Sequence, residues 1–358
     1  MHLAHLRLRD FRNYGRVDAD FSPGLHVLLG DNAQGKTNLL EAIYLMATLR
    51  SFRGVGGAQM VRHGQNGYFL SGRVVAQGTR EIKMYWSRHE RKLTLDDRPV
   101  RKLTDFLGAL RTVVFCTEDL QLVKGTGRPR RRYLDLLLVQ TRPGYLALLQ
   151  RYAQVVRSRN AALKQFPPDP TLVESYTDAL VQCGNALRQQ REELIPQLLP
   201  LAQRAYRQIA PAAEEFHLAY APSVRGDFAV ELAQLRERER RLRMTLLGPH
   251  RDDLQLLLDG RAAAQFASEG QKRSLAIALK MAQADLLMAR HGTAPVLLID
   301  DVMGELDLRR RSGLLPLLDR VHEHRGQAFM TCTEESWPRE LGRRLQRWQV
   351  KAGRISPW

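Results

Sequence analysis

Cysteine and aromatic residues are scarce in this sequence of 358 residues: three residues are cysteine and 7% are aromatic. Cys116, Cys183 and Cys332 are far apart and odd in number, which argues against a disulfide framework and a zinc site. The low aromatic content argues against recognition of nucleic acid by base stacking. No stretch reaches the roughly 18 uncharged apolar residues of a membrane-spanning helix, and the N-terminus has arginines within its apolar pattern, unlike a signal peptide. These absences favour a cytoplasmic location.

Acidic residues are in deficit. The sequence has 55 basic and 38 acidic residues, a net charge of +17, and 46 of the basic residues are arginine. Such a surplus favours an anionic partner, most commonly nucleic acid. The alternative is that an arginine-rich genome composition inflates the charge. The length predicts two or three domains, and a hydrophobic content of 44% supplies an ordinary globular core.

Patterns typical of α/β structure occur at both ends of the chain. Uninterrupted apolar runs predict buried strands, and three-to-four-residue spacing predicts helices. Strands are predicted at 2–8, 25–30 and 325–333, a strand that runs into a loop at 110–120, a strand that ends in acids at 294–307, a β-meander at 69–100 and a hairpin at 254–266. Between them, residues 145–209 have helical periodicity, broken at FPPDP (166–170) and predicted to break again at Pro196, Pro200 and Pro211.

The segment 30–37 matches the phosphate-binding pattern G-x-x-x-x-G-K-[ST], and it lies between a predicted strand and a predicted helix. Glycines let the backbone curl so that N–H groups face phosphate oxygens, and the helix adds its positive end. In such a loop Lys36 reaches the β- and γ-phosphates and Thr37 ligates Mg²⁺. The predicted cofactor-binding residues of the loop are Gly30, Asp31, Asn32, Ala33, Gln34, Gly35, Lys36 and Thr37.

Two acids follow the apolar run at 296–299. A buried strand that ends in an acid can hold Mg²⁺ opposite a phosphate loop, so Asp300 is predicted as a metal ligand together with Thr37. Asp301, one residue on, is predicted to be catalytic because it can polarise the attacking water. Lys36 is the other predicted catalytic residue, because it contacts the phosphates. Such a run is weak evidence by itself, but with the loop it favours a nucleotide site. The wide separation of its two halves indicates an insertion.

A serine and a glycine precede a long helical pattern, in the segment SEGQKR (268–273). A serine before a helix is commonly only an N-cap. Alternatively, Ser268 and Gly270 bind a γ-phosphate beside the exposed N–H groups of the helix start. The residues by themselves leave both interpretations open.

The motif order of phosphate loop, S-x-G-Q, VLLIDD and GELD (304–307) resembles that of the ABC-type ATPases. Within them the chain resembles the SMC-like DNA-repair branch, and in particular the RecF family. The resemblance covers nearly the whole chain and is least specific at 150–245. The segments that carry it are LRLRDFRNY (6–14), SFRG (51–54), FCTEDLQLVKGTGRPRRRYLD (115–135), GPHRDDL (248–254) and RGQAFMTCT (325–333).

The resemblance implies a site shared by two subunits. In such proteins two heads sandwich two ATP molecules, so Ser268 and Gly270 would complete the phosphate loop of the partner and Asp307 would lie at the same interface. Arg12 and Asn13 would lie near the nucleotide, and Glu118 or Gln121 would occupy the Q-loop position. The sequence departs from many ABC proteins in having Asp301 instead of glutamate and Thr331–Thr333 instead of the usual switch histidine. Both departures suggest slow hydrolysis.

The implied fold is an ABC-type ATPase head, residues 1–144 and 248–358, with an inserted, mainly helical arm, residues 145–247. The implied function is ATP-dependent DNA binding in recombinational repair, in which the dimer clamps gapped DNA and helps to load recombinase. Weak DNA-dependent ATPase activity, replication-fork maintenance, a part in the SOS response, and RecR- and RecO-like partners are also expected. The main alternative is the ATPase subunit of a transporter, and a purely structural SMC-like dimeriser is disfavoured because no sustained heptads occur.

Three further segments have two interpretations each. The basic cluster RPRRRYLD (128–135) either contacts phosphates or is an exposed turn, and RERERRLR (236–243) is predicted to be a solvated helix face. In GPHRDD (248–253), His250 and Asp252 suggest a metal site, but two further ligands are lacking nearby, which favours a loop that rejoins the head. With few aromatics, DNA binding is expected to be phosphate-dominated, largely sequence-independent and salt-sensitive.

Overall fold

The computed structural model describes residues 1–210, 214–333, 342 and 344–358. The chain divides into two compact units. The first comprises Met1–Leu120, Arg204–Ala213 and Arg273–Trp358, and the second comprises Gln121–Gln203 and Glu214–Lys272. The second unit has wider bounds than the interval 145–247, and the division into head and arm stays a prediction.

Runs of strands and runs of helices follow one another along the chain, which gives a mixed α/β structure. The strands are β1 (His2–Phe11), β2 (Tyr14–Asp20), β3 (Gly24–Leu29), β4 (Gly67–Val75), β5 (Thr79–Ser87), β6 (Arg91–Leu95), β7 (Arg98–Pro99), β8 (Thr112–Phe115), β9 (Phe216–Ala221), β10 (Asp253–Leu258), β11 (Arg261–Ala262), β12 (Val296–Asp300), β13 (Gln327–Cys332), β14 (Leu345–Lys351) and β15 (Arg354–Pro357). The helices are α1 (Lys36–Thr48), α2 (Gly57–Met60), α3 (Leu103–Leu107), α4 (Gln121–Lys124), α5 (Gly127–Thr141), α6 (Tyr145–Lys164), α7 (Pro170–Ser175), α8 (Thr177–Ile209), α9 (Phe228–Leu242), α10 (Ala263–Phe266), α11 (Glu269–His291), α12 (Val302–Glu305) and α13 (Leu308–Glu323), with a 3₁₀ turn at Thr117–Leu120.

A largely parallel sheet forms the centre of the first unit, in the order β15-β14-β3-β13-β12-β8. Strands β14, β3, β13, β12 and β8 are mutually parallel, and every residue of β3, β12, β13 and β8 is buried. This burial explains their uninterrupted apolar runs, because parallel strands are covered on both faces. Strand β13 separates β3 from β12, so the carboxyl ends of these three strands lie along one edge.

An antiparallel sheet is the second sheet of the first unit, in the order β2-β1-β4-β5-β6-β7. Its strands alternate buried apolar with exposed polar residues, as in Leu6, Arg7, Leu8 and Arg9. Such alternation is expected when one face of a sheet packs on a core and the other meets water. The buried face belongs to one large apolar cluster that includes much of α1, and the predicted meander at 69–100 is confirmed by β4 to β7.

The second unit contains a short antiparallel sheet, in the order β11-β10-β9, together with helices. The predicted hairpin turn is confirmed at Asp259–Gly260, between β10 and β11. Strand β9 was not expected, because the surrounding region is dominated by helical periodicity. Within the described part of the chain, no helix is long and apolar enough to cross a membrane.

Helix α8 corrects the prediction that Pro196 and Pro200 end a helix, since both lie inside its 33 residues. The two prolines lie four residues apart, and both are exposed. Each lacks the N–H that would bond to the carbonyl four residues earlier, at Glu192 and Pro196 respectively. These carbonyls lie on the same, water-facing side of the helix. Buried Leu194 and Leu198 hold the opposite face. Packing of that face outweighs the local cost of the prolines. Pro211 lies outside the described residues.

Both basic segments lie on helices of the second unit. The exposed-turn interpretation of 128–135 is wrong, because these residues belong to α5 and Arg130 pairs with Asp253 through two hydrogen bonds of 2.7 and 2.8 Å. The segment 236–243 is largely an exposed face of α9, as predicted. Its exception is Glu239, which is fully buried and 2.7 Å from the guanidinium of buried Arg159.

Candidate functional site

The phosphate-loop segment leaves the buried strand β3 and enters α1, as its sequence predicts. Gly30 has φ +152°, and a Cβ there would lie 2.2 Å from the carbonyl oxygen of Val350. Gly35 has φ +122°, and a Cβ there would lie 2.7 Å from the side chain of Asn13. Only glycine combines these backbone angles with such close neighbours. The two glycines therefore let the loop turn tightly against β14 and the β1–β2 turn.

Lys36, the first residue of α1, is turned back into the loop. Its ammonium donates to the carbonyl oxygens of Gly30 at 2.5 Å and Asp31 at 2.9 Å. Burial lowers the pKa of Lys36 below the ordinary lysine value, and the nearby carboxylate of Asp301 opposes that shift. The positive charge of this lysine is therefore held inside the curl of the loop.

Thr37 links the loop to the acidic strand end. Its hydroxyl donates to the Asp300 carboxylate at 2.8 Å, and the hydroxyl of Thr331 donates to the same oxygen at 3.0 Å. Burial raises the pKa of Asp300, and the two hydroxyl donors reduce that rise because they stabilise the ionised form. A hydroxyl and a carboxylate at contact distance are hard oxygen ligands of the kind that Mg²⁺ takes.

Asp301 and Glu118 lie around this pair. Asp301 is exposed, has a left-handed backbone with φ +56°, and donates its N–H to Thr331 at 2.8 Å. The negative charge of Glu118, in the turn after β8, contributes to the raised pKa of Asp300. Three carboxylates of the first unit therefore act on one region at the carboxyl ends of β8 and β12. Gln121, the other Q-loop candidate, belongs to the second unit.

The β1–β2 turn braces the loop from one side. The Asn13 amide donates to the carbonyl of Gln34 at 2.8 Å and accepts from Asn38 at 2.8 Å, while the Tyr14 hydroxyl donates to the carbonyl of Gly35 at 2.9 Å. Burial raises the pKa of Tyr14, so its hydroxyl stays a donor. Asn13 and Tyr14 thus hold the loop backbone in place.

Arg12 is committed to a carboxylate on α1. Its guanidinium makes two hydrogen bonds of 2.8 Å to Glu41, which is fully buried and also accepts from Ser51 at 2.5 Å. A further guanidinium N–H donates to the carbonyl of Gln59 at 2.9 Å. The structure therefore places Arg12 beside the loop-bearing helix, and a contact with nucleotide stays a prediction.

The turn between β14 and β15 braces the loop from the other side, a role that sequence reasoning missed. The N–H groups of Ala352 and Gly353 donate to the side chain and the carbonyl of Gln34, at 2.7 and 3.1 Å. The alternation in LQRWQVK followed by AGR is typical of a hairpin and could have predicted this turn. Nothing in the sequence indicates that the turn contacts Gln34 of the phosphate loop.

The serine-glycine segment lies in the second unit. Ser268 and Gln271 form a reciprocal cap, in which the Ser268 hydroxyl accepts from the N–H of Gln271 at 3.2 Å and the Gln271 side chain accepts from the N–H of Ser268 at 2.5 Å. Ser268 is exposed and Gly270 is partly exposed. The N-cap interpretation thus describes the isolated chain, and a role across a dimer stays a prediction.

Asp307 caps helix α13 in the first unit. Its carboxylate accepts from the N–H of Arg310 at 2.8 Å and also pairs with the guanidinium of Arg310. Leu308, the next residue, is 80% exposed. The residue that the resemblance places at a dimer interface therefore lies at an accessible helix start.

His250 and Asp252 are held by other groups in the second unit. His250 contacts the hydroxyl of Tyr152 at 2.7 Å, and Asp252 accepts from the N–H of Ser223 at 2.7 Å and from the hydroxyl of Tyr220. Burial lowers the pKa of His250 to about 4, so the ring is neutral near pH 7. No cluster of three or more potential metal-ligating residues occurs among the described residues.

The first unit thus brings together the phosphate loop, Asn13, Asp300 and Asp301, with Arg12 one contact away, while Ser268 and Gly270 belong to the second unit. A phosphate loop between a strand and a helix, with acids at the carboxyl end of a neighbouring parallel strand, is the arrangement of an ABC-type ATPase head. The chain belongs to the RecF/RecN/SMC N-terminal domain family, whose model matches residues 2–354, and within that family it groups with the RecF proteins.

Two relatives illustrate the grouping. The chain is 41% identical to the DNA replication and repair protein RecF of Symbiobacterium thermophilum over 99% of this chain and 98% of that protein. It is 38% identical to the protein of the same name from an Anaeromyxobacter species, over 100% and 99% of the two chains. The predicted RecF resemblance is therefore confirmed, and these relatives give no support to the transporter alternative.

Solved structures agree with the sequence relatives. A structure of the recombination mediator protein RecF with ATP, from the RecFOR pathway, has a TM-score of 0.90 at 26% identity and covers 99% of this chain and 97% of its own. The Smc head domain of Pyrococcus furiosus has a TM-score of 0.57 at 12% identity, covering 99% of this chain and 95% of its own, and shows the fold alone. The predicted fold class is confirmed.

Proposed function

We propose that this chain is an ATP-dependent DNA-binding protein of recombinational repair, which dimerises on ATP and clamps gapped DNA. The observation that carries the proposal is the 2.8 Å contact of Thr37 with Asp300, which joins a phosphate loop to an acidic strand end. Relatives over the full chain are DNA replication and repair proteins, and a similar structure contains ATP. The net charge of +17 suits a polyanionic partner.

ATP is held by the loop 30–37 in this proposal. The loop N–H groups and the N-terminus of α1 face the phosphates, and the Lys36 ammonium exchanges its carbonyl partners Gly30 and Asp31 for the β- and γ-phosphates. Bracing by Asn13, Tyr14 and Gly353 holds the loop in its curved form before ATP arrives. Such preorganisation lowers the cost of ordering the loop on binding.

Thr37 and Asp300 fit a Mg²⁺ ion, because the ion prefers hydroxyl and carboxylate oxygens and takes few protein ligands beside phosphate and water. When bound, Mg²⁺ would neutralise charge on the phosphates. Thr331 donates to Asp300 and so orients its carboxylate.

Slow hydrolysis is part of the proposal. Asp301 is assigned to polarise the attacking water, with a side chain one methylene shorter than the glutamate of many ABC proteins. Thr331, Cys332 and Thr333 occupy the end of β13 where such proteins carry a histidine. Weak DNA-dependent turnover, below about 10 per second, then acts as a timer for release.

Dimerisation places Ser268 and Gly270 of one chain on the ATP held by its partner, with Asp307 at the same interface. Support comes from their exposure and from the N–H groups at the start of α11, which suit a phosphate.

The head comprises 1–144 and 248–358, and the arm comprises 145–247. The proposal also includes RecR- and RecO-like partners, recombinase loading, fork maintenance and a part in the SOS response, which the resemblance to the RecF family suggests.

Sedimentation of the protein with a short DNA duplex, with and without ATP and Mg²⁺, tests the proposal. A shift to a DNA-bound dimer is expected only with both ligands present. A monomer that binds ATP but never pairs would overturn the clamp, and a protein that ignores DNA in every condition would overturn the repair function.

A further inference from the structure

The exposed face of the antiparallel sheet carries a row of basic and aromatic side chains. The strand register places Arg16 opposite Arg9, Arg9 opposite Phe69, Phe69 opposite Tyr85 and Tyr85 opposite Lys92. Directly opposite residues of antiparallel strands point to the same face. Their strand neighbours Leu8, Val17, Leu70 and Met84 are buried on the other face. The basic row is our name for the exposed set Arg16, Arg9, Phe69, Tyr85 and Lys92, all of which lie in the first unit.

Two like charges face each other without compensation in this row. Arg9 and Arg16 are both exposed, and neither makes an ion pair or a side-chain hydrogen bond with any residue that the structure describes. Like charges directly opposite across a sheet are destabilising. Folding therefore tolerates a repulsion here that an anion bound between the two guanidinium groups would relieve.

Neighbouring rows on the same face are neutralised internally. Arg7, two residues before Arg9, pairs with Asp18 on β2 at 2.9 Å, and Arg73 lies 3.5 Å from Asp20. In the basic row only Lys92 has an acidic partner, Glu90 at 2.7 Å. Arg9 and Arg16 are thus the arginines of this face whose charges lack an acidic partner in the described ranges, unlike Arg7 and Arg73.

We propose that the basic row binds the phosphodiester backbone of duplex DNA. The inference rests on the proposed function and deepens it by assigning a contact surface. Arginine, lysine and tyrosine side chains all bind backbone phosphates, and Tyr85 is 36% exposed between the two basic ends. Four interstrand steps of about 4.8 Å give the row a length of roughly 19 Å, which is enough to follow several phosphates.

Duplex binding as a function of salt tests this surface in the full-length protein. The double variant R9Q/R16Q is compared with R7Q/R73Q, which removes the same charge from the same face but takes it from paired arginines. Affinity for a labelled duplex is measured by fluorescence anisotropy over a series of NaCl concentrations. R9Q/R16Q is expected to bind about 10-fold or more weakly at low salt and to lower the slope of log affinity against log salt by about 2. The control is expected to change both quantities less.

Thermal unfolding separates this effect from damage to the fold. Because R9Q/R16Q removes a repulsion, its Tm is expected to equal or exceed that of the wild type. A lower Tm would overturn the like-charge argument. Unchanged affinity and slope in R9Q/R16Q, with wild-type binding intact, would overturn the surface while leaving the proposed function standing.

Two further outcomes have distinct meanings. In one outcome, poly-glutamate displaces DNA from the wild type, and R9Q/R16Q loses affinity for poly-glutamate as much as for DNA. That outcome would overturn the assignment to DNA in favour of an acidic protein segment. A wild-type protein that binds no DNA at any salt concentration would overturn the proposed function itself and the surface with it.

Discussion

The hydroxyl of Thr37 donates a 2.8 Å hydrogen bond to the carboxylate of Asp300, although 263 positions separate the two residues. They meet because β3 and β12 run parallel in one sheet, with β13 between them, so that their carboxyl ends share an edge. Thr331 lies at that edge on β13 and contacts Asp300 as well.

Removing the hydroxyl of Thr37 should weaken ATP binding that depends on Mg²⁺. Thr37→Val keeps the shape of the side chain but removes the donor to the Asp300 carboxylate. Valine also cannot supply the hydroxyl oxygen that the proposed site gives to Mg²⁺, so a loss of about 10-fold or more in affinity, roughly 1.4 kcal/mol, is expected with Mg²⁺. Calorimetric titration of ATP with and without Mg²⁺ measures it. Thr37→Ser, which keeps the hydroxyl, should stay near wild type, and equal affinities for Val and wild type would contradict the metal assignment.

Lys36→Met should abolish ATP-driven dimerisation. The substitution keeps the length of the side chain but removes the only ammonium that the phosphate-loop segment 30–37 contains, which now donates to Gly30 and Asp31. Lys164→Met, an exposed lysine at the end of α6, is the matched control. Sedimentation with ATP and Mg²⁺ should give monomers for the first variant and dimers for the second. Dimers that survive Lys36→Met would refute the assignment of the loop.

Ser268→Arg should block pairing but leave ATP binding by the monomer intact, because the proposed contact is with the partner's nucleotide. Ser175→Arg places the same side chain at another exposed serine of the second unit and should pair normally. ATP titration and sedimentation together give the two readouts. Normal pairing of Ser268→Arg would favour the plain N-cap interpretation, which the Ser268–Gln271 cap supports in the isolated chain.

Stability should fall as pH falls below about 6.5, in part because of His26. This fully buried ring donates from Nε2 to the carbonyl of Ser22 at 2.8 Å and accepts at Nδ1 from the indole N–H of Trp348 at 3.0 Å. Burial lowers the pKa of His26 from 6.5 to about 4. A folded-state pKa below the unfolded one means that the unfolded chain takes up the proton first. The contribution is therefore fully present above pH 6.5 and is lost as pH falls from 6.5 towards 4.

The size of this loss is about 3 kcal/mol at the low end of that range, since one pKa unit corresponds to 1.36 kcal/mol. Urea unfolding at several pH values between 7.5 and 4.5 measures it. His26→Gln should flatten the dependence without removing it, because His250 also has a pKa of about 4. A variant with an unchanged slope would show that His26 does not titrate as proposed.

Gly353→Ala should destabilise the protein more than Gly260→Ala. Both glycines lie in hairpin turns with similar angles, φ +69° and +73°. A Cβ at Gly353 would lie 2.5 Å from the carbonyl oxygen of Asn13, whereas nothing lies within 4 Å of one at Gly260. Backbone strain should lower the free energy of unfolding of both variants by about 1–2 kcal/mol. The clash should lower that of Gly353→Ala by about 1–3 kcal/mol more. Equal unfolding midpoints in urea would contradict the close packing of this turn against the β1–β2 turn.

Gly353→Ala should also weaken ATP binding, since the turn holds Gln34 of the loop through two N–H groups. Gly260→Ala should bind ATP as the wild type does. This second readout tests bracing of the loop independently of the stability of the whole protein.

The phosphate loop and most strands could be predicted from the sequence because their signals are local. A buried strand, a glycine-rich turn and an amphipathic helix each have a period or a composition that a short window contains. The same local reasoning failed for α8, in which Pro196 and Pro200 are exposed and the buried face holds the helix together. It also missed β9, a strand of only six residues that follows the region of helical periodicity at 145–209.

By itself the sequence determined the chemistry that is available: Lys36 and Thr37 on the loop, Asp300 and Asp301 after a buried strand, and a large excess of arginine. Only the tertiary structure decided which of these groups meet. The order β3-β13-β12 brings Thr37 to Asp300, the hairpin turn at Ala352 and Gly353 reaches Gln34, and the β1–β2 register sets Arg9 against Arg16. Such contacts depend on strand order and register, which arise from packing of the whole unit, so no local window of residues contains them.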